Sequence, residues 1–286
     1  MVAVFLAIAD GQTQREMTQA AAAALFHDMG QLQIDPAIAD DARRLDENQL
    51  RYFDAHPITA YLILKAIREL DPAEAIAVLI HHERLEGSGY PRRMTGDAID
   101  ALGQLLAVAD VGAAILWRKK SAAYRPLSMA LRFNRGKLNA HFGQTPPDFI
   151  WSLGNNEFDI AKTATLALPD PFKRLSEERQ KLLNITSNLP EGSALLPLQT
   201  LTQERLDQLT RHLASAGVDL DQDTKNVADP DAEGQWTAET HCMFDEAIWQ
   251  LRAVARELRR RARDLPTVDD TARRALCDEL AKIEQV

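Results

Sequence analysis

Alanine and leucine dominate this sequence, and the alternating β-branched runs that strands need are scarce. Apolar residues recur instead at helical spacing, and glycine, proline and Asp-Pro or Asp-Gly pairs separate the segments. The pattern predicts an all-α protein. The predicted helices cover residues 2–9, 15–27, 47–54, 57–70, 73–82, 99–119, 127–142, 176–186, 203–216 and 238–264.

The character of the sequence changes near Gly143, after which helix-breaking pairs such as Pro146-Pro147 become frequent. A chain of 286 residues is long enough for two modest domains. We therefore predict a first domain at 1–143 and a second, mostly helical region at 144–286, whose role the sequence does not reveal. The acidic, polar stretch at 219–235 predicts a loop within the second region.

Composition and charge narrow the function classes. The net charge of −9 argues against a nucleic-acid-binding or anionic-membrane surface, since either would need a basic balance. Two isolated cysteines, Cys242 and Cys277, do not make a disulfide framework. No apolar run reaches the 18 residues of a membrane span, and the start lacks the basic leader of a secretory signal. We therefore expect a cytoplasmic protein.

The predicted helix at 238–264 carries two patterns. Phe244, Ile248, Leu251, Val254 and Leu258 recur at spacings of three and four, which predicts a stripe packed in the bundle or against a partner helix. The segment 255–265 holds five arginines near the end of the helix. Given the net charge of −9 and the lack of interleaved aromatic residues, this run favours a solvated face, with arginines salt-bridged to Asp or Glu, over a nucleic-acid site.

Histidine and aspartate concentrate at predicted helix ends in the first domain. His27-Asp28 and His81-His82 are adjacent pairs, and His56 lies at a helix junction between them. Asp110 interrupts the apolar run LLAVADVGAAIL, where an unpaired carboxylate would cost several kcal/mol, so it needs a partner or a metal. These residue types bind metals through imidazole nitrogen or carboxylate oxygen. Spacing alone leaves a metal site and ordinary packed or surface histidines as about equal alternatives.

A longer set of motifs resembles a known family. His27-Asp28-Met29-Gly30, His56, HHERLEGSGYP at 81–91 and VAD at 108–110 resemble the HD-GYP domain. This family is a branch of the HD metal-dependent phosphohydrolases and contains bacterial cyclic di-GMP phosphodiesterases. The resemblance covers roughly residues 1–143, and the HHE…GSGYP block is its most specific part.

The resemblance implies a helical bundle, one or two divalent ions, most often iron or manganese, and a set of site residues. Asp28 would be the catalytic, bridging ligand. One metal would be held with it by His56, His81 and His82, and a second by His27 and Asp110. Glu83 would orient an imidazole from outside the metal shell. The remaining residues implied are those that would contact substrate, namely the loop Gly89, Tyr90 and Pro91, and Arg125.

The sequence also departs from the family pattern. The family has a further histidine upstream of the HD pair, but no His or Glu precedes Glu16 here. Either the second metal site lacks a ligand, or the chain is a fragment of a longer protein. Gln31 stands where the family has a lysine, so a cation toward phosphate is missing. Ala122 replaces an expected arginine, and Arg125 is the candidate to substitute for it.

Two functions follow, with a weaker third. The first is a metal-dependent phosphodiesterase acting on cyclic di-GMP or a related nucleotide. The second is a degenerate, non-catalytic HD-GYP signalling module that acts by binding a ligand or, through helices in 144–286, a protein partner. A phosphohydrolase for another nucleotide is the third.

Overall fold

The computed structural model describes residues 1–39, 45–119, 124–138, 171–189, 192–215, 238–265 and 270–285. These ranges are mostly helical and contain no β-strand, only an isolated bridge between Glu86 and Thr95. The predicted all-α class is therefore confirmed. None of the helices in these ranges is both long and apolar enough to cross a membrane.

The chain divides into two compact units, Met1–Asp159 and Ile160–Val286. The predicted boundary near Gly143 and the predicted loop at 219–235 lie outside the described residues and stay predictions. The amino-terminal unit contains two short 3₁₀ helices, Met29–Gln33 and Gly96–Ala98. Its α-helices are α1 (Val2–Ala9), α2 (Gln14–Phe26), α3 (Pro36–Ala39), α4 (Glu47–Asp54), α5 (His56–Leu64), α6 (Pro72–Ile80), α7 (Ala101–Lys119), α8 (Tyr124–Phe133) and α9 (Arg135–Leu138).

Side-chain caps define where three of these helices begin. Thr13 and Glu16 form a reciprocal capping box at the start of α2, and Asp46 forms the same motif with Gln49 at α4. Asp71 caps α6 by accepting the Ala73 N–H. These caps satisfy backbone N–H groups that have no partner inside the helix.

Some predicted boundaries were wrong. The helix predicted to reach residue 70 ends at Leu64, where the backbone tightens into turns with bonds from Ala66 to Ile63 and from Ile67 to Leu64. The helix predicted at 127–142 begins earlier, at Tyr124, and ends at Phe133. Asn134 follows it, and its side chain bonds back to the Ala130 carbonyl.

Helix α7 forms the centre of the amino-terminal unit and contacts α1, α2, α6, α8 and α9. Its side chains are buried nearly continuously from Leu105 to Ala109, because neighbouring helices cover more than one face. Asp110 interrupts this run and is only partly buried. The neighbours of α7 include α2 and α6, and their carboxyl-terminal ends carry the adjacent pairs His27-Asp28 and His81-His82.

Gly30 allows the first 3₁₀ helix to lie directly on α5. A Cβ atom at this position would be 2.0 Å from the His56 carbonyl oxygen and 2.9 Å from the Ala60 nitrogen. Both atoms belong to the backbone and cannot move aside cheaply. Any side chain here would therefore push the segment after Asp28 away from the start of α5.

The second unit contains α10 (Pro171–Ser187), α11 (Pro197–Ser215), α12 (Ala238–Asp264) and α13 (Asp270–Gln285). Helix α12 contacts the other three. The predicted packing stripe is confirmed, since its five residues, Phe244, Ile248, Leu251, Val254 and Leu258, are all buried. Helices α10 and α11 begin five and six residues before their predicted starts at 176 and 203.

Buried ion pairs connect α12 to two of its neighbours. Glu257 accepts bonds from Arg205 on α11, at 2.9 Å from Nε and 3.0 Å from Nη2. Arg259 donates to Glu284 on α13 at 2.9 Å. All four side chains are at most 8% exposed. The prediction of a solvated arginine face was therefore wrong for Arg259, because its partner lies on a helix distant in sequence.

We expect the substitution Glu257→Gln to destabilise the second unit by about 3–5 kcal/mol, because it leaves the buried Arg205 cation without a countercharge. Urea unfolding followed by circular dichroism measures this loss. The matched control is Glu279→Gln, since Glu279 pairs with Lys282 in solvent and its loss should cost under about 1 kcal/mol. Equal losses of stability in the two variants would contradict the assignment of Glu257 and Arg205 as a buried ion pair.

Candidate metal centre

Four imidazoles converge at helix ends in the amino-terminal unit. His27 directly follows α2, and His81 and His82 follow α6. His56 is the first residue of α5, where Pro57 occupies an early helical position that needs no donor. The ring centroids of neighbouring pairs lie between 3.9 Å and 5.6 Å apart.

Three of the rings are oriented by the same hydrogen bond. The Nδ1 atoms of His27, His56 and His81 lie 2.9, 2.7 and 2.6 Å from the carbonyl oxygens three residues earlier. These carbonyls lie in the last turns of α2, α4 and α6, where backbone oxygens lack an intrahelical donor. Because a carbonyl only accepts, each Nδ1 carries the proton, so in the neutral ring Nε2 presents a lone pair to the centre.

Asp28 lies among these nitrogens. Its Oδ1 atom is 3.3 Å from His56 Nε2 and 3.9 Å from His81 Nε2. With His82, these residues each offer one ligand atom, and the four atoms all lie within 4.8 Å of one another. Ligands about 2.0–2.2 Å from an ion lie at most about 4.4 Å apart, so only a small contraction would enclose a cation.

Burial makes this arrangement costly without a cation. Asp28 Oδ1, His56 Nε2 and His81 Nε2 are buried and have no hydrogen-bond partner. The His56 and His81 side chains are completely buried, while 43% of the Asp28 side chain stays exposed. Buried acceptors that face one another repel unless a cation or proton lies between them. The donor set of nitrogen and carboxylate oxygen therefore fits a divalent metal.

The second oxygen of Asp28 faces a different group. Asp28 Oδ2 is 3.2 Å from His27 Nε2, and this nitrogen is 3.7 Å from Asp110 Oδ1. Asp110 Oδ2 is in turn 3.7 Å from His82 Nδ1. The structure thus brings all six predicted ligands together, with the Asp28 carboxylate between the two groups. Their roles as ligands, and bridging by Asp28, stay predictions.

The charges of the cluster shift its titrations. Burial lowers the pKa of His27, but hydrogen bonds and charge from Asp110 and Asp28 outweigh it and raise the pKa to about 10. Burial raises the pKa of Asp28, yet His27 and His56 hold it well below its usual range. Burial lowers the pKa of His81 to about 4, so this imidazole is neutral near pH 7.

The predicted substrate loop lies against the imidazole cluster. The Tyr90 ring stacks on the His82 ring with centroids 4.6 Å apart and planes inclined by 24°. Gly89 and Pro91 flank this tyrosine. Arg125 belongs to α8, but its side chain lies outside the described residues, so its role toward substrate stays a prediction.

Glu83 bonds to the backbone of the loop that follows it. Its Oε1 accepts the Arg92 N–H at 2.6 Å and its Oε2 accepts the Met94 N–H at 2.9 Å. Its expected role in orienting an imidazole stays a prediction. Burial raises the pKa of Glu83, and these backbone bonds oppose that shift. Sequence reasoning missed both these bonds and the carbonyls that orient the rings, because backbone partners leave no motif.

The sequence model of the HD domain family matches residues 3–133, a segment that contains all six converging residues. The chain is similar to 3'3'-cGAMP-specific phosphodiesterase 3 of Vibrio cholerae, with 30% identity over 161 residues, or 56% of this chain and 32% of that protein. It is also similar to the cyclic di-GMP phosphodiesterase response regulator RpfG of Xanthomonas campestris, with 31% identity over 132 residues, or 45% of this chain and 35% of that protein.

A third relative is the cyclic di-GMP phosphodiesterase PdeB of Borreliella burgdorferi, with 30% identity over 96 residues, or 34% of this chain and 25% of that protein. The chain thus spans about a third or less of the length of these three relatives. No solved structure matches the chain.

We expect the metal-free chain to lose stability as the pH rises from about 7 to 9. Folded His27, with its pKa of about 10, keeps a proton that the unfolded imidazole, with a pKa of 6.5, has lost. The stabilisation is complete below pH 6.5 and is lost as the pH approaches 10, by at most about 1.4 kcal/mol per pH unit. Urea unfolding in the presence of a chelator at several pH values measures this slope.

His27→Gln removes this titrating group, so its stability should depend less steeply on pH over the same range. The variant also loses the part of the low Asp28 pKa that His27 causes, but a carboxyl group titrates below this pH range, so the difference between the two slopes reports His27. Parallel profiles would show that the His27 pKa is not raised in the folded chain.

Proposed function

We propose that the chain is a metal-dependent phosphodiesterase of the HD-GYP type, a proposal supported by the match of residues 3–133 to the HD domain family and by the similar phosphodiesterases. The substrate class that we propose is a cyclic dinucleotide. The relatives support the class rather than one compound, since their names specify cyclic di-GMP for some and 3'3'-cGAMP for others.

The observation that carries the proposal is the convergence of buried lone pairs. His56 Nε2 and His81 Nε2 face Asp28 Oδ1, and none of these atoms has a hydrogen-bond partner. Their Nδ1 protons are already committed to helix-end carbonyls. A proton between two of these atoms relieves one contact, whereas a divalent cation meets all three atoms at once, so the group is better suited to binding metal than to packing.

We assign the ligands as follows. Asp28 would hold one metal together with His56, His81 and His82. A second ion would be held by the group formed by Asp28, His27 and Asp110. We propose that the metal is iron or manganese, the metals typical of the family that the sequence resembles. Such an ion supplies positive charge that polarises a phosphate and a water molecule during displacement at phosphorus.

The chain itself contributes position and charge. The low pKa of Asp28 keeps its carboxylate ionised, and its partly exposed side chain leaves the centre open to a substrate. We propose that the Gly89–Pro91 loop lines the mouth of the site, where Tyr90 lies beside His82. Arg125 remains our candidate for a phosphate contact.

The alternative is a signalling module that binds without catalysis. Gln31 favours it, because this residue lies in the 3₁₀ helix directly after Asp28 and carries no charge where a lysine would attract phosphate. The absence of an arginine at position 122 acts in the same direction. In this alternative, the helices of the second unit would contact a protein partner.

We expect the purified chain to bind at least one Mn²⁺ or Fe²⁺ ion and to hydrolyse cyclic di-GMP or 3'3'-cGAMP in its presence. Asp28→Ala should lower kcat/KM by at least roughly a hundredfold, because even changes outside the metal shell commonly cost ten- to a hundredfold. Metal content per chain and chromatography of the products measure the two effects.

Asp10→Asn is the matched control, since Asp10 is exposed at the end of α1 and its replacement should change neither quantity. Nucleotide binding without turnover would support the signalling module instead. A chain that binds neither metal nor cyclic dinucleotide would overturn both functions.

A further inference from the structure

We infer that Glu83 is a positioning residue, which clamps the Gly89–Met94 loop to the segment that carries the metal ligands and thereby holds Tyr90 against His82. The inference rests on the proposed function in one respect, because it takes His82 as a metal ligand. The clamp itself depends only on the contacts of the loop.

The first step is the carboxylate of Glu83. The residue is only 1% exposed, and its two oxygens accept separate backbone N–H groups, from Arg92 at 2.6 Å and from Met94 at 2.9 Å. Hydrogen bonds to an ionised acceptor are about twice as strong as neutral ones. One buried side chain therefore fixes two points of the loop that follows Tyr90.

The second step is the close approach on the other side of Tyr90. A Cβ atom on Gly89 would be 2.4 Å from both the Glu83 Cα atom and the His82 carbonyl oxygen. The Tyr90 N–H donates to this same carbonyl at 3.2 Å. The loop therefore lies directly on the His82–Glu83 backbone. Tyr90 is held by contacts of the residue before it and of residues after it.

The third step connects the clamp to the metal centre. The Nδ1 atom of His82 lies 3.7 Å from Asp110 Oδ2. The face of the His82 ring lies on Tyr90. The loop therefore contributes to the orientation of this ring, and Glu83 holds the loop.

Trypsin provides a test of the clamp that needs neither metal nor substrate. Arg92 is exposed, and the bond between Arg92 and Arg93 lies between the two points that Glu83 holds. In Glu83→Gln an amide oxygen accepts one N–H, and the amide N–H₂ group meets the other donor. We expect cleavage after Arg92 or Arg93, identified by mass spectrometry, to become at least roughly tenfold faster, because losing one bond to a charged acceptor shifts a local opening equilibrium by about that factor.

Glu74→Gln is the matched control. Glu74 is likewise a buried glutamate, 7% exposed, and lies on α6, where the hydrogen bond and the charge that act on it come from Asp71 at the start of that helix. Its replacement should leave cleavage at Arg92 and Arg93 at the wild-type rate. Equal acceleration in both variants, or none in Glu83→Gln, would overturn the inference. If Glu83→Gln does not fold, Glu83→Asp takes its place, since the shorter arm cannot reach both donors.

Mn²⁺ affinity tests the connection through Tyr90. We expect Glu83→Gln and Tyr90→Ala each to weaken Mn²⁺ binding roughly tenfold, as is common for residues that orient ligands, and the double variant to be no weaker than either one. Fully additive losses would overturn the connection. If the wild-type chain binds neither Mn²⁺ nor Fe²⁺, the proposed function fails, and cleavage by trypsin alone decides whether Glu83 clamps the loop.

Discussion

One interaction, the bond from an imidazole Nδ1–H to a carbonyl in the last turn of a helix, underlies the site. It occurs at His27, His56 and His81 with acceptors on three different helices. It satisfies helix-end oxygens that would otherwise lack a donor, and it fixes each ring so that Nε2 points inward. Local helix termination thus produces the geometry that a metal centre requires, before any metal binds.

The fold brings these helix ends together by packing. Helix α7 fills the centre with small and branched side chains and contacts both α2 and α6. Gly30 lets the segment after Asp28 rest on the α5 backbone. The six side chains are therefore positioned by ordinary core formation on the side away from solvent. Among the six, Asp28, His27, Asp110 and His82 keep part of their surface exposed, which marks the open side of the cluster.

The sequence was most informative where residue types and their spacing determine the structure or the chemistry. Helical spacing predicted the all-α class and the packing stripe of α12, and the histidine-aspartate pattern selected the six residues that the structure brings together. It failed where the partner is backbone or distant. The role of Glu83 and the burial of Arg259 depend on contacts 9 to 25 residues away. The early end of α5 depends on turn formation that no glycine or proline signals.

Unsatisfied buried atoms are informative because of how they are distributed. In the second unit, Arg205 meets Glu257 and Arg259 meets Glu284, so these four buried charges are paired across helix interfaces. In the first unit, isolated atoms such as Gln104 Oε1 are tolerated, as in most proteins. The cluster differs because three such atoms, all electron-pair donors, lie close together. Each atom costs free energy by being buried without a partner, and the three also repel one another. Such a cluster is unfavourable for packing alone and is stabilised when a cation binds between its atoms.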